Sequence, residues 1–218
     1  IKVLFKKNIC KIYGKGIDGY QFKKNLTINA ENSGTVGRLI LGLLINTSNP
    51  IRLIGDKSLS KRDFKRVSDP LSKFGAKFML NNDKNLPLQI YGSSNLKPFK
   101  YFENKGSAQC KSTVIFGAMR TEGTTYIKAK KSRNHTELLC KYLKLPITVK
   151  SKKNYDEISV KKVKQIKTLN YKIPSDISSA AFFIVLTALS KNSKLTIKDV
   201  NINPSRTGVV TILRKMGV

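Results

Sequence analysis

Asn32-Ser33-Gly34-Thr35-Val36-Gly37-Arg38-Leu39 and Ser107-Ala108-Gln109-Cys110-Lys111-Ser112 each set a serine and small or polar residues directly ahead of an apolar run. A hydroxyl in that position accepts a hydrogen bond from a backbone N–H that a helix start leaves unpaired, so both segments read as helix openings. Four more places share the pattern. Ser60 precedes a run through Phe64, Val67, Leu71 and Phe74 that ends at Gly75, and Ser132-Arg133-Asn134 precedes His135 to Leu143. Ser175 precedes Ala180 to Leu189, and Ser205 precedes Val209 to Met216. Ser33, Ser107 and Ser175 are spaced by 74 and 68 residues, and Arg62, His135 and Arg206 by 73 and 71. A period of that size is an internal repeat.

Between the helices lie short alternating segments, Lys77–Leu80, Leu88–Tyr91, Ile147–Lys150 and Glu157–Val160, which have strand character. Each repeat therefore reads strand, helix, strand, helix, strand, strand. Residues 1–28, with turns at Gly14, Gly16 and Gly19, read as the last strands of an earlier repeat. Pro70 removes a helical N–H and is expected to kink or split the helix after Ser60. Helices packed over their own sheets with N-termini at one end would bring polar helix starts to one surface, where free N–H groups suit anions.

Composition narrows the function. The 42 Lys+Arg against 13 Asp+Glu give a net charge of +29, enough to attract any polyanion. Only eight of those cations are arginine, Trp is absent, and Tyr and Phe fall mostly within apolar stretches. Base readout and stacking lean on arginine and on exposed aromatic rings, so nucleic acid is not the expected partner and a basic binding module without chemistry is the distant alternative. Cys10, Cys110 and Cys140 show no paired spacing and His135 is the sole histidine, so neither a metal site nor a disulfide framework is expected. No apolar run approaches the roughly 20 residues that span a bilayer. A cytoplasmic protein is expected. Ile1 in place of an initiating Met and an end just past a helix suggest a central piece of a longer chain.

Six segments, in order, resemble the 5-enolpyruvylshikimate-3-phosphate (EPSP) synthase family. Asn32 to Leu39 is similar to N-[SA]-G-T-x-x-R-L, and Gly55-Asp56-Lys57-Ser58-Leu59-Ser60-Lys61-Arg62 to G-D-x-S-L-x-K-R. Ser107 to Ser112 matches S-A-Q-x-K-S, and Ser132-Arg133-Asn134-His135-Thr136-Glu137 matches S-R-[DN]-H-T-E. Ile173 to Ala181 resembles I-P-G-D-I-S-S-A-A, and Asn203 to Gly208 resembles N-P-T-R-T-G. The resemblance implies an α/β fold, part of the inside-out α/β barrel of the enolpyruvyl transferases, built from repeated βαβαββ units. Residues 1–172 would be most of one domain and residues 173–218 the opening of a second.

The family joins phosphoenolpyruvate to the 5-hydroxyl of shikimate 3-phosphate and releases phosphate, with no cofactor. By its motifs, Gly34 and Arg62 would bind phosphoenolpyruvate, while Ser107, with a hydroxyl and a helix-start N–H, would hold the phosphate of shikimate 3-phosphate. Gln109, next to Ala108, would touch both substrates, and Ser132 and Arg133 would meet the shikimate ring and its phosphate. No catalytic acid or base is named in the chain, which by itself is expected to be inactive; the full-length protein is expected to be a monomer. The nearest alternative is the enolpyruvyl transferase that acts on UDP-N-acetylglucosamine. Lys111 and Ser112 read as packing or helix-surface groups, His135 as structural, Arg38 as a residue that either holds a loop or touches ligand, and Arg206 and Asp176 as capping or interdomain residues. Glu31 stands where the family has glycine.

Overall fold

The computed structural model describes residues 1–20 and 22–218 and divides them into two compact units, Ile1–Lys167 and Thr168–Val218. In the first unit, β1 (Lys2–Lys6) and β2 (Ile9–Tyr13) form an antiparallel hairpin whose side chains are all exposed. Then follow β3 (Leu26–Asn29), α1 (Gly34–Leu44), β4 (Ile51–Ile54), α2 (Lys57–Ser60), α3 (Lys65–Ser72), β5 (Lys77–Asn81) and β6 (Asn85–Tyr91). The next repeat comprises β7 (Lys100–Glu103), α4 (Ala108–Ala118), β8 (Thr124–Lys130), α5 (His135–Tyr142), β9 (Ile147–Ser151) and β10 (Tyr155–Lys161).

The sheets are ordered β3-β4-β6-β5 and β7-β8-β10-β9. In each, the first pair is parallel and the other two are antiparallel, so the repeat seen in the sequence is a repeat of topology. Because β3 is the parallel partner of β4, residues 26–28 open the second repeat rather than close an earlier one.

Strand alternation puts Ile51, Leu53, Leu88 and Ile90 of one sheet, and Ile127, Ala129, Ile158 and Val160 of the other, into a single core with Leu41, Ile45 and Val114 of the helices. At the middle of that core lie α1 and α4. Their close approach runs in parallel register: Gln109 meets Thr35, Thr113 meets the carbonyl of Arg38, and Arg120 meets Asn46. Glycine is required there, since a Cβ on Gly42 would overlap the Thr113 carbonyl and one on Gly117 would come within 2.7 Å of the Phe74 ring. Eight of the eleven residues of α4 are buried, so this helix has no solvated face. The tightest helix pairing is therefore between repeats, not within one.

Several helix starts differ from expectation. Ser60 ends α2 instead of opening a helix, because Asp56 caps α2 by accepting from Leu59 N at 2.7 Å while the Ser60 hydroxyl donates to the Gly55 carbonyl. The break before α3 falls at residues 61–64, and Pro70 sits inside α3, where the bond it forfeits lies close to the natural end of the helix. Neither α3 nor α5 has a side-chain cap; Asn134, not Ser132, occupies the cap position of α5.

In the second unit, α6 (Ile177–Leu189) is capped by Asp176, which accepts from Ser178 N at 2.9 Å, so Ser175 is not the cap. Arg206 donates to the same carboxylate at 3.1 Å and to Ser178. α7 (Gly208–Lys215) starts at Thr207 without a side-chain cap, and Ser205 instead donates to Asn203. An apolar groove of about 540 Å³ runs along α6, lined by Ile177, Ile184, Leu195, Ile197 and Val218. Among the described residues no helix is long and apolar enough to cross a membrane.

Candidate functional site

The starts of α1 and α4 define the site within the first unit. Ser33 caps α1 by accepting from Val36 N at 3.1 Å. The turn before it is unusual: Glu31 has φ of 48°, left-handed backbone that glycine adopts freely and other residues seldom do. Asn29 stabilises it from both sides, accepting from Glu31 N at 2.9 Å and donating to its carboxylate at 2.6 Å. That carboxylate is thereby turned toward Asn29. Asn32 donates to Asp56 at 2.5 Å and Asp56 N to the Glu31 carbonyl at 2.9 Å, so the α1 and α2 turns lie against one another. The N–H of Leu59 and the Asn32 amide hold the Asp56 carboxyl below its ordinary value.

This apposition brings Arg62, four residues beyond Ser58, to the start of α1. A Cβ on Gly34 would lie 3.0 Å from the Arg62 Nη1 atom, so Gly34 is buried directly against an exposed guanidinium. Arg62 has no ion pair among the described residues. Arg38 and Arg66 stand nearby. Burial, with the charges of Arg66 and Arg62, pushes the Arg38 guanidinium down from its ordinary value. A hydrogen bond to Cys110 Sγ at 3.3 Å pushes Arg66 up. Three guanidinium groups clustered beside a helix start make a strongly anion-attracting surface.

On α4, Ser107 is the cap, accepting from Cys110 N at 3.3 Å. Its own N–H is occupied by the buried Glu103 carboxylate at 3.0 Å, so the helix-start N–H expected from Ser107 comes instead from Ala108 and Gln109, among those a helix leaves without an internal acceptor. The Ser107 hydroxyl hydrogen remains to donate. The Gln109 amide spans the two helices: its oxygen accepts from Arg38 at 2.6 Å and its nitrogen donates to Thr35 at 3.2 Å. Arg38 also donates to the Asp63 carbonyl at 3.3 Å, a contact that ties it to the loop before α3.

Ser132 and Arg133 lie on the loop ahead of α5. Arg133 is exposed, whereas the Ser132 hydroxyl is buried and has no hydrogen-bond partner among the described residues. Neither touches the other five residues directly. Their link is through α4: Ser112 and Thr136 share a hydrogen bond of 2.7 Å, and Lys111 Nζ lies 2.6 Å from Glu137 Oε1. Lys111 is wholly buried, so the helix-surface reading of that residue is corrected. Sequence reasoning also passed over Arg66 and Glu103; the signal available was Arg66 in the segment that follows Arg62, and an acidic residue four positions before Ser107. Among the described residues no group of three or more His, Cys, Asp or Glu is placed to hold a metal.

Two repeats of one βαβαββ topology with paired inner helices, and cations and free N–H groups gathered at their starts, define an enolpyruvyl-transferase type of fold. The model of the EPSP synthase (3-phosphoshikimate 1-carboxyvinyltransferase) family matches residues 4–218, and the chain belongs to that family. A 3-phosphoshikimate 1-carboxyvinyltransferase of Caldicellulosiruptor bescii is 43% identical over 196 residues, 87% of this chain and 44% of the relative. EPSP synthase from Acinetobacter baumannii superposes with a TM-score of 0.85 at 34% identity, covering 99% of this chain and 48% of that structure. The enolpyruvyl transferase NikO from Streptomyces tendae, at 15% identity and a TM-score of 0.61 over 82% of this chain and 43% of its own, shares the fold. The chain spans about half the length of the relatives it matches.

Proposed function

We propose that this chain supplies the phosphoenolpyruvate- and shikimate 3-phosphate-binding surface of an enzyme that transfers the enolpyruvyl group to the 5-hydroxyl of shikimate 3-phosphate. The observation that carries it is the Gly34–Arg62 contact beside the Arg38–Gln109–Thr35 bridge, which joins the two helix starts whose motifs resemble the family's substrate segments. Arg62, with no ion-pair partner of its own, pairs with the carboxylate or phosphate of phosphoenolpyruvate, since a guanidinium offers two parallel donors. Gly34 leaves the space for that ligand. The Ser107 hydroxyl and the N–H groups of Ala108 and Gln109 receive the phosphate of shikimate 3-phosphate, with Arg133 and Ser132 completing its shell. Positioning of this kind lowers a bimolecular barrier before any proton moves. The acid and base are not among residues 1–218, and the enzyme works as a cytoplasmic monomer of two domains that meet near residue 172.

Calorimetric titration of the 218-residue chain tests the reading. Shikimate 3-phosphate binds with one-to-one stoichiometry, Ser107→Ala and Arg133→Ala each weaken it, and UDP-N-acetylglucosamine does not bind. Both substrates together release no phosphate from the chain alone, because proton transfer, typically worth about 10²–10⁴-fold, has no residue to perform it. Heat from UDP-N-acetylglucosamine equal to that from shikimate 3-phosphate contradicts the assignment.

A further inference from the structure

The loop that presents Ser132 and Arg133 is fastened at both ends by charged clips, and the downstream one holds a buried lysine. At the upstream end Lys131 Nζ lies 2.6 Å from Asp156 Oδ1, Ser151 donates to the same oxygen at 2.8 Å, and Lys131 also reaches the Ser151 hydroxyl. Downstream, where α5 starts without a side-chain cap, Thr136 and Ser112 share a hydrogen bond and Glu137 meets Lys111. The side chains of Lys111 and Glu137 are 0% and 4% exposed. Through Glu137 the buried lysine ties the start of α5, and with it the exit of the loop, to the enclosed helix α4.

A buried ion pair is a poor way to gain stability, because desolvating two charges cancels most of their attraction and an apolar pair of similar volume does as well or better. Its distinctive property is directional: it holds its two partners in one arrangement. From this placement, and resting on the binding role proposed for Ser132 and Arg133, we infer that Lys111, through Glu137, is a positioning residue that sets the Ser132–Arg133 loop for the phosphate of the ligand. Lys111 does not itself touch that ligand. Supporting groups of this kind commonly shift affinity by about 10–100-fold.

The test uses Lys111→Met, Glu137→Leu and the double variant of the 218-residue chain, with shikimate 3-phosphate as the probe and thermal melting as the control. Each single variant leaves one buried charge unpaired and melts lower. The double variant regains the melting temperature of the unaltered chain yet binds the probe at least about tenfold more weakly, and its Ser132 and Arg133 amide resonances no longer shift on titration. A purely structural pair predicts the opposite: the double variant binds as the unaltered chain does, and that result overturns the inference. Should the double variant fail to fold, Glu137→Gln, which keeps a polar partner of the same shape beside Lys111, is read instead: binding weakened beyond any change in the folded fraction supports the role, and unchanged binding overturns it. If the unaltered chain does not bind the probe at all, the binding role of the loop is itself wrong and the positioning role falls with it; binding by the unaltered chain with no response in any variant overturns the positioning role alone.

Discussion

The repeat from β3 to β6 and the repeat from β7 to β10 have the same strand order and opposite interiors. The first is filled by Leu41, Ile45, Ile51, Leu53, Phe64, Val67, Leu71 and Ile90, with Thr47 and Ser68 its buried polar residues. The second buries Glu103, Lys111, Ser112, Thr113, Arg120, Thr121, Thr125, Glu137 and Asp156 among its apolar groups. One topology is therefore reached with two kinds of core. Apolar packing tolerates many arrangements of similar volume. A buried charge tolerates only those that keep its partner in place, and here three of the four lie beside a loop at a helix start: Glu103 accepts from Ser107 N, Glu137 pairs with Lys111 in the first turn of α5, and Asp156 pairs with Lys131 next to Ser132, while Arg120 past the end of α4 pairs with Asp18. The repeats teach that the polar interior is where the site is positioned, while the apolar interior carries the fold.

Substitutions inside the two cores give the largest expected effects. Glu137→Leu strands the Lys111 ammonium and costs about 3–5 kcal/mol, whereas adding Lys111→Met returns most of the loss. Leu53→Ala in the other repeat costs about 2–5 kcal/mol and no second substitution at a neighbouring polar residue restores it. Urea unfolding of the four proteins separates the cases. A Glu137→Leu midpoint equal to that of the unaltered chain would mean that the two interiors do not differ in kind.

Helix caps sharpen the comparison at a smaller scale. Ser33→Ala and Ser107→Ala, one in each repeat, each cost about 1 kcal/mol through loss of the cap. Ser60→Ala leaves the Asp56 cap of α2 in place and stays within about 0.5 kcal/mol. Ser132→Ala removes a buried hydroxyl without a partner, so it is neutral or stabilising in the free chain while weakening shikimate 3-phosphate binding. Equal losses from all four serines, measured by the same unfolding curves, would break the distinction.

The smallest effect is the response to acid. Burial pushes the Asp156 carboxyl up, but hydrogen bonds from Lys131 and Ser151 and the charges of Lys131 and Lys111 outweigh it, and the net shift is below the ordinary value of 3.8. A carboxyl lowered by folding stabilises the protein at pH above that ordinary value, and the contribution is lost as pH falls through the lower, folded value. Asp156→Asn should therefore flatten part of the acid-side fall in melting temperature between pH 5 and about 3 while leaving other contributions intact. Parallel curves for the two proteins would show that the upstream clip carries no charge-dependent stability.

Much of the first unit was legible in the sequence because its signals are local. Alternation placed the strands at Lys77–Leu80, Leu88–Tyr91, Ile147–Lys150 and Glu157–Val160, inside β5, β6, β9 and β10. The serine openings found α1 and α4. Where several polar residues crowd a helix start, the serine rule chose the wrong one: Asp56, Asn134 and Thr207 occupy the caps that Ser60, Ser132 and Ser205 were expected to fill, whereas Asp176, also read as a capping residue, caps α6 in place of Ser175. A short side chain near a start competes equally well for turn hydrogen bonds. The motif residues Gly34, Arg62 and Gln109 were legible as a set, and their contacts now account for why they occur together. The clips were not. Lys111 and Glu137 lie 26 residues apart, and Arg38 and Gln109 lie 71 apart, so nothing local pairs them. A lysine two residues past a glutamine and beside a serine reads as solvent-facing until the helix is seen to be enclosed.

The most direct test of the central claim is an amide-resonance titration of the 218-residue chain with shikimate 3-phosphate, repeated at low and high salt. The account predicts saturable shifts confined to Ser107, Ala108, Gln109, Ser132 and Arg133 and their neighbours, with an affinity that weakens but persists at high salt, since a shaped site is screened less than an exposed one. Shifts scattered over the lysines of the strand ends, unsaturated and abolished by salt, would contradict it: the +29 charge would then be attracting an anion to the surface at large.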